Sequence, residues 1–369
     1  MELKNYWLLL IWLFAAGLFC IVALPEQIEK VGGKQVYRWN WIAVILITLP
    51  YVIWAGYRGD HFGDTFNYRR GFVNQGTDWA LLPKYLSDAN KDKGFIFLRF
   101  LFRTILPNDN GVIYFMILAA FQLWACVRIF RKYSDNFWIC FFMFVASTDY
   151  LSWAHNGIRQ FTAVAITTLA FEFIVKKKYI PAILIILLAA TIHGSALIMI
   201  PCIFLVQGKA WNEKTFMAML VTVLAIVFMD RFMPFMNTML EDTQYDGMLT
   251  NSVWTTDNGT SIQRVLVYSA PAILGFFGRK YVDEGHDAAL NISVNFSCIN
   301  MFIYMVSAVT SGIYIGRLPI YMTIPGYLCV PYLIDHMFDE KSARLVYIGM
   351  IGLFCAFFYV QCHMAWHLI

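Results

Sequence analysis

Residues 179–207 read YIPAILIILLAATIHGSALIMIPCIFLVQ, without one Asp, Glu, Lys or Arg. How this stretch meets a membrane decides the topology of the whole chain. Lys176–Lys178 precede it, Lys209 and Lys214 follow it, and Arg279/Lys280 come two spans later. A single long, tilted helix would put Lys209, Lys214 and Arg279/Lys280 on the side opposite Lys176–Lys178. Two shorter passes, turning near His193-Gly194-Ser195, keep all of them on one side. Lysine and arginine favour the cytoplasmic flanks of spans, so the in-and-back reading is preferred. Broken helices occur in membranes where the freed backbone is buried in protein or lines a cavity. The break therefore also points to a site.

Composition sets the class. The chain has 369 residues, of which 59% are hydrophobic and 14% charged, against about 25% charged in a soluble domain. Apolar runs of about 17–25 residues, enough to cross about 30 Å of hydrocarbon, recur throughout. No alternating barrel pattern is present, so the spans are expected to be helices. Spans fall at about 5–24, 40–56, 110–129, 137–151, 158–175, 215–232, 263–279, 290–310, 317–334 and 343–361. With the broken pair this makes an all-α polytopic bundle of about 11–12 passes. It is read as one transmembrane domain over 1–369, with the first run retained rather than cleaved. The net charge of +4 is small and scattered, which excludes a nucleic-acid surface. The eight cysteines sit mostly inside apolar runs and read as small core residues.

Basic residues at Lys30/Lys34/Arg38, Arg128/Arg131/Lys132, Lys176–Lys178, Arg279/Lys280 and Lys341/Arg344 mark the cytoplasmic side. Both termini and the polar segments 57–109 and 234–262 then face outward. Within 57–109, Gly94–Leu106 is apolar but too short to span, with Arg99 and Arg103 one turn apart. It reads as an interfacial helix.

The outer segment opens on Arg58-Gly-Asp60-His61-Phe-Gly63-Asp64-Thr65-Phe-Asn67-Tyr68-Arg69-Arg70. If helical, it places Asp60 and Asp64 on one face, with Tyr68 a turn further. Arg58 closes the second span, Arg159 opens another in Asn156-Gly-Ile-Arg159-Gln160, and Arg264 and Arg317 open two more. At 1.5 Å per residue, His193 lies roughly 20–25 Å past the Lys176–Lys178 cluster, near the same outer face. Each arginine alone can simply snorkel to headgroups. Four of them at one depth beside a broken helix suit a shared anion, since a guanidinium fork matches a diphosphate where lysine offers a point charge. His193 is either a core histidine or, beside Ser195, a base for a sugar hydroxyl. Asp60 and Asp64 are the rival bases, Asp64 ranking next after His193, and both are weakened if arginines lower their affinity for a proton. Asp149, Asp230 and Glu172 read as structural pairs. No nucleotide, serine-hydrolase or zinc-protease motif is present, and no metal site is expected.

With these residues in view, the chain resembles the EpsG/Wzy-type family of polysaccharide polymerases. Arg58 with Gly63-Asp64-Thr65 and Tyr68 looks like the family's arginine, then Gly/Asp/Thr and tyrosine, after the second span. Gly63 stands directly before Asp64, where the family pattern has an intervening residue. Arg159-Gln160 looks like its Arg-Gln pair, His193-Gly-Ser195 like its His-x-Ser, and Arg317 like its late arginine. The resemblance implies a GT-C-like membrane glycosyltransferase in a bacterial inner membrane, with its site facing the periplasm or the exterior. It would join oligosaccharide repeats carried on undecaprenyl diphosphate into an O-antigen, capsule or exopolysaccharide, without a cofactor or metal. Donor and acceptor would both be lipid-linked, and a chain-length regulator and a flippase would be partners. His193 and Asp64 would be catalytic; Arg58, Asp60, Tyr68, Arg159, Gln160, Ser195, Arg264 and Arg317 would bind substrate. A flippase or transporter of a lipid-linked or anionic substrate, and a membrane acyltransferase, are the competing classes.

Overall fold

A computed structural model of the chain describes residues 3, 5–31, 34–229, 231, 258–285 and 287–365. Most of the expected outer segment 234–262, with Glu241, Asp242, Asp246 and Asp257, and also Asp230, lies outside the described residues. The first half runs α1 (Trp7–Ala23), β1 (Gln27–Val31), β2 (Lys34–Arg38), α2 (Trp41–Gly56), α3 (Thr65–Val73), α4 (Leu82–Ser87), α5 (Lys93–Ile105), α6 (Val112–Tyr133), α7 (Phe137–Ala146), α8 (Asp149–Leu151) and α9 (Ile158–Leu169). The second half runs α10 (Phe171–Val175), α11 (Tyr179–Ile192), α12 (Met199–Leu205), α13 (Glu213–Val227), α14 (Ile262–Gly285), α15 (Ala288–Ala308), α16 (Ile320–Gly326), α17 (Cys329–Met337) and α18 (Glu340–Val360).

The chain divides into two compact units. The first is Met1–Leu169, Leu187–Gly194 and Phe338–Ile369; the second is Ala170–Ile186 and Ser195–Met337. Among the described residues, three helices are long and apolar enough to cross a membrane: Val112–Tyr133, Ala288–Ala308 and Glu340–Met364. A bent pair, Phe137–Ala146 with Asp149–Asn156, raises this to four. Shorter apolar helices are Trp7–Ala23, Trp41–Gly56, Tyr179–Ile192 and Gly194–Leu205. Seven of the eight cysteines are buried, as core residues should be.

The stretch 179–207 is broken where expected. The α-helix stops at Ile192, and a 3₁₀ turn over Gly194–Ile198 precedes α12. Within the second unit its two ends lie side by side. The rings of Tyr179 and Phe204 are 4.8 Å apart, and Gln207 Nε2 donates to the carbonyl of Ile174 at 3.1 Å. A straight helix of that length would hold its ends roughly 40 Å apart. The loop after α12 is fastened to α15 and α14: the Asn295 side chain of α15 donates to the carbonyls of Val206 and Lys209 and accepts from Trp211 N, and Lys209 pairs with Asp283 of α14 at 3.2 Å. One end of this unit thus gathers the lysines that flank the hairpin and the basic end of α14. At the other end of α15, Ser307 Oγ donates to Thr260 Oγ1 at 2.8 Å, next to the start of α14.

In the first unit α2 and α6 run antiparallel. At one end the Arg131 guanidinium donates to Trp39 O (2.6 Å) and Gln27 Oε1 (2.8 Å) and pairs with Glu29 at 2.7 Å. These contacts tie down a two-stranded antiparallel hairpin, with Gln27 opposite Arg38 and Val31 opposite Lys34, which the all-helical expectation lacked. Gly32-Gly33, a favoured pair for a two-residue hairpin loop, stands between the two strands in the sequence. At the opposite end of α2 and α6 lies the segment 57–109.

Three expected elements are corrected. The span at 137–151 does not run straight: it bends by 62° between α7 and Asp149–Asn156, at Thr148 with φ +66°. The span at 317–334 is a 3₁₀ turn (Ile315–Arg317) followed by two short helices. Asp60 and Asp64 do not share a helical face, because α3 begins only at Thr65 and Gly63 sits at φ +52°. The short apolar segment Gly94–Leu106 is helical, as expected, forming α5. Glu172 pairs with Lys176 at 2.6 Å, one helical turn apart.

Candidate active site

The centre of the first unit's polar end is Asp92, which the sequence did not single out. It is the N-cap residue of α5, in the left-handed region at φ +56°, a conformation that Asp tolerates better than most residues. An N-cap aspartate ordinarily accepts from its own helix's first amides. The Asp92 side chain makes no such bond. Instead Oδ2 accepts from Arg159 Nη1 at 2.9 Å, and Oδ1 faces the amide of Gly194 at 3.4 Å. One carboxylate thus joins the start of α9 to the turn after His193. Glycine makes the approach possible: a β-carbon at Gly94 would lie 2.3 Å from Thr191 Oγ1.

Asp92 is sunk in protein, with 4% of its side chain exposed, whereas 38% of the Arg159 side chain is exposed. The guanidinium is therefore fixed from behind and open in front. Arg159 also hydrogen-bonds the Tyr68 hydroxyl and lies within electrostatic reach of Asp64. Tyr68, on α3, packs edge-on against Phe95 of α5, with ring centroids 6.2 Å apart. His193 and Tyr68 are half-buried, Asp64 is exposed, and Gln160 is buried beside Arg159. Asp64, Tyr68, Arg159, Gln160 and His193 therefore fall in one unit with Asp92.

Arg58 and Asp60 stand apart from that centre. Asp60 pairs with Arg69 at 2.6 Å. Arg58 is 2% exposed, its guanidinium 3.8 Å above the Phe115 ring, and Nη1 donates to Ala154 O at 2.5 Å. Burial pushes its pKa down to about 10, so it remains a cation at neutral pH. Beside it, Thr65 Oγ1 donates to His155 O at 3.3 Å, and Asp64 N donates to Asn156 Oδ1 at 2.9 Å. These bonds hold the π-helical turn Ser152–Asn156 that leads into α9.

The remaining expected residues belong to the second unit. Ser195 Oγ and the Tyr321 hydroxyl share a hydrogen bond of 2.9 Å. Arg264 lies near the start of α14, over Tyr268 at 5.9 Å. Arg317 is exposed on a single 3₁₀ turn, where a β-carbon on the preceding Gly316 would meet Thr260 Oγ1 at 2.6 Å. Arg264 and Arg317 therefore share the end of this unit that lies away from Lys209.

Comparison with known families places the chain. The EpsG family matches the chain over residues 41–366, nearly its whole length. The chain belongs to the EpsG family. No curated protein and no solved structure matches it. The EpsG match takes in Arg58, Asp64, Arg159, His193 and Arg317 together, so the resemblance drawn from short motifs extends over the helices that carry them. As an EpsG-family chain with long apolar helices, it is an integral membrane protein.

Proposed function

We propose that this EpsG-family protein is a membrane glycosyltransferase that polymerises lipid-diphosphate-linked oligosaccharide repeats into a surface polysaccharide. The observation that carries the reading is the Asp92 carboxylate, which joins Arg159 to the His193–Gly194 turn. The family supports the class of reaction, and that junction supports the chemistry. In this reading the shorter apolar helices are further passes of an 11–12-pass, GT-C-like bundle. The polar ends face the outer side of the inner membrane, opposite the lysine-rich ends.

The donor is the growing chain, linked through its anomeric carbon to a lipid diphosphate such as undecaprenyl diphosphate. The acceptor is a hydroxyl on the incoming lipid-linked repeat. The hydroxyl oxygen bonds to the anomeric carbon while the bond from that carbon to the diphosphate oxygen breaks. The lipid diphosphate leaves with the electron pair, and the hydroxyl proton passes to His193, with Asp64 as the second candidate base. The protein's main task is to stabilise charge on the departing diphosphate. Arg159 suits it: its position is set in advance by a buried acid, so little reorganisation accompanies the reaction. Asp60, Tyr68, Gln160, Ser195, Arg264 and Arg317 supply further substrate contacts. The cations needed for the leaving group are arginines, so we propose that turnover needs no metal.

Purified protein in lipid nanodiscs, given the lipid-linked repeat, tests the proposal. A ladder of lengthened chains, formed equally with a chelator, is expected. Chelator inhibition reversed by Mg²⁺ would refute the metal-independent step. Transfer of the lipid-linked repeat across a vesicle membrane with no new glycosidic bond would instead establish a flippase.

A further inference from the structure

The segment Ala154-His155-Asn156 is held at three successive residues by one loop. Arg58 caps the carbonyl of Ala154, Thr65 caps that of His155, and Asp64 N bonds the Asn156 side chain. These residues end a helix. The last four carbonyls of a helix have no partner within it, and the negative end of the helix dipole lies there. A π-turn whose own closing bond is Gly157 N to Ser152 O, at 3.2 Å, leaves the next carbonyls to be satisfied from outside. A cation and a hydroxyl from residues about 90 positions earlier supply that cap. Gly63 completes the fit: a β-carbon there would lie 2.3 Å from Asn156 Oδ1, and its φ of +52° is one that glycine adopts freely.

The same geometry keeps Arg58 from a substrate. Its guanidinium lies on the Phe115 ring, Tyr6, Tyr114 and Tyr150 are its electrostatic neighbours, and solvent does not reach it. Its Nε and Nη2 are buried and make no hydrogen bond among the described residues. Arg159 follows three residues after Asn156, so the capped turn sets where α9 starts and how Arg159 meets Asp92.

We propose that Arg58, Gly63 and Thr65 form a helix-end clamp and that Arg58 is a positioning residue, acting on the reaction through Arg159 rather than touching substrate. The proposal rests on the polymerase reading only for its kinetic consequence. The clamp itself is a statement about the turn.

Two measurements test it. Amide hydrogen exchange is followed by mass spectrometry over 152–161 in wild type, Arg58→Met and Thr65→Val. Exchange about tenfold faster in that segment is expected in Arg58→Met, the scale of one lost charge-assisted hydrogen bond. Unchanged exchange over α13–α15 would confirm that the effect is local. Thr65→Val removes one hydroxyl at nearly constant shape and serves if Arg58→Met fails to fold. Unchanged exchange at 152–161 in whichever of the two folds overturns the clamp. The second measurement is a turnover cycle of Arg58→Met, Arg159→Lys and the pair. Once Arg159 is replaced, loss of the clamp should cost less than about threefold more. Losses that multiply would show that Arg58 acts on substrate independently, and would overturn the positioning role. A wild type that makes no polymer refutes the polymerase reading instead, and the exchange experiment then decides the clamp by itself.

Discussion

Arg159 and Arg317 are both arginines at the head of apolar segments, and the fold treats them differently. Arg159 begins a 12-residue helix and is backed by a buried aspartate. Arg317 ends a single 3₁₀ turn and is exposed. The sequence offers the same residue type in the same setting; the buried acid behind Arg159 and the exposure of Arg317 make the difference. An arginine held by a buried acid is aimed before the substrate arrives, which is what stabilising a transient charge requires. An exposed arginine can draw an anion in, but exposure and screening weaken its effect. In the proposed polymerase, this contrast favours the Asp92 junction for the chemistry and Arg317 for drawing in the lipid-linked substrate.

Loss of His193 should separate the two regions most sharply. If it is the base, His193→Ala lowers turnover by about 10²–10⁴-fold while leaving binding of the lipid-linked repeat intact. Binding by fluorescence polarisation and turnover by gel should part company. Normal turnover would remove His193 from the mechanism and leave Asp64 to be tested as Asp64→Asn. Next in size is Arg159→Lys, which keeps the charge but loses the planar fork. A loss of about 10²-fold in turnover is expected, the scale of removing one fixed donor from a developing anion. Asp92→Asn keeps the shape of the side chain but removes its charge. It should lower the unfolding free energy by about 1–3 kcal/mol, seen as a lower melting midpoint in detergent, and slow turnover without raising KM. A melt and a turnover both equal to wild type would make the junction incidental. The smallest effect belongs to the other region: Arg317→Lys should change turnover by less than about tenfold and act mainly on KM. A loss matching that of Arg159→Lys would erase the distinction drawn here.

Much of this was legible in the sequence, for identifiable reasons. The hairpin at 179–207 followed from Lys176–Lys178 and Lys209 needing the same side, because charge flanking a span is costly to misplace. α5 followed from its apolar face and its length. Other features had no local signature. Asp92 is one of six acids in segment 57–109, and its partners, Arg159 and Gly194, are 67 and 102 residues away. An N-cap aspartate was readable there, but not that it turns away from its own helix. The bend at Thr148 falls at the end of an apolar run whose composition gives no warning. Arg58 is a different case. A motif arginine beside acids reads as a ligand contact, and its burial and its bond to the Ala154 carbonyl had no local signature. The strand pair at 27–38 is signalled by Gly32-Gly33, but it is short and lies between two apolar helices.

The central claim is that the diphosphate binds at the Asp92 junction. A cryo-electron-microscopy map of the protein with a non-transferable lipid-diphosphate sugar analogue tests it most directly. The account predicts phosphate oxygens about 2.7–2.9 Å from the Arg159 guanidinium, the distance of a charge-assisted hydrogen bond, with the anomeric carbon towards His193. A diphosphate seated on Arg264 or Arg317 with Arg159 unoccupied would contradict it.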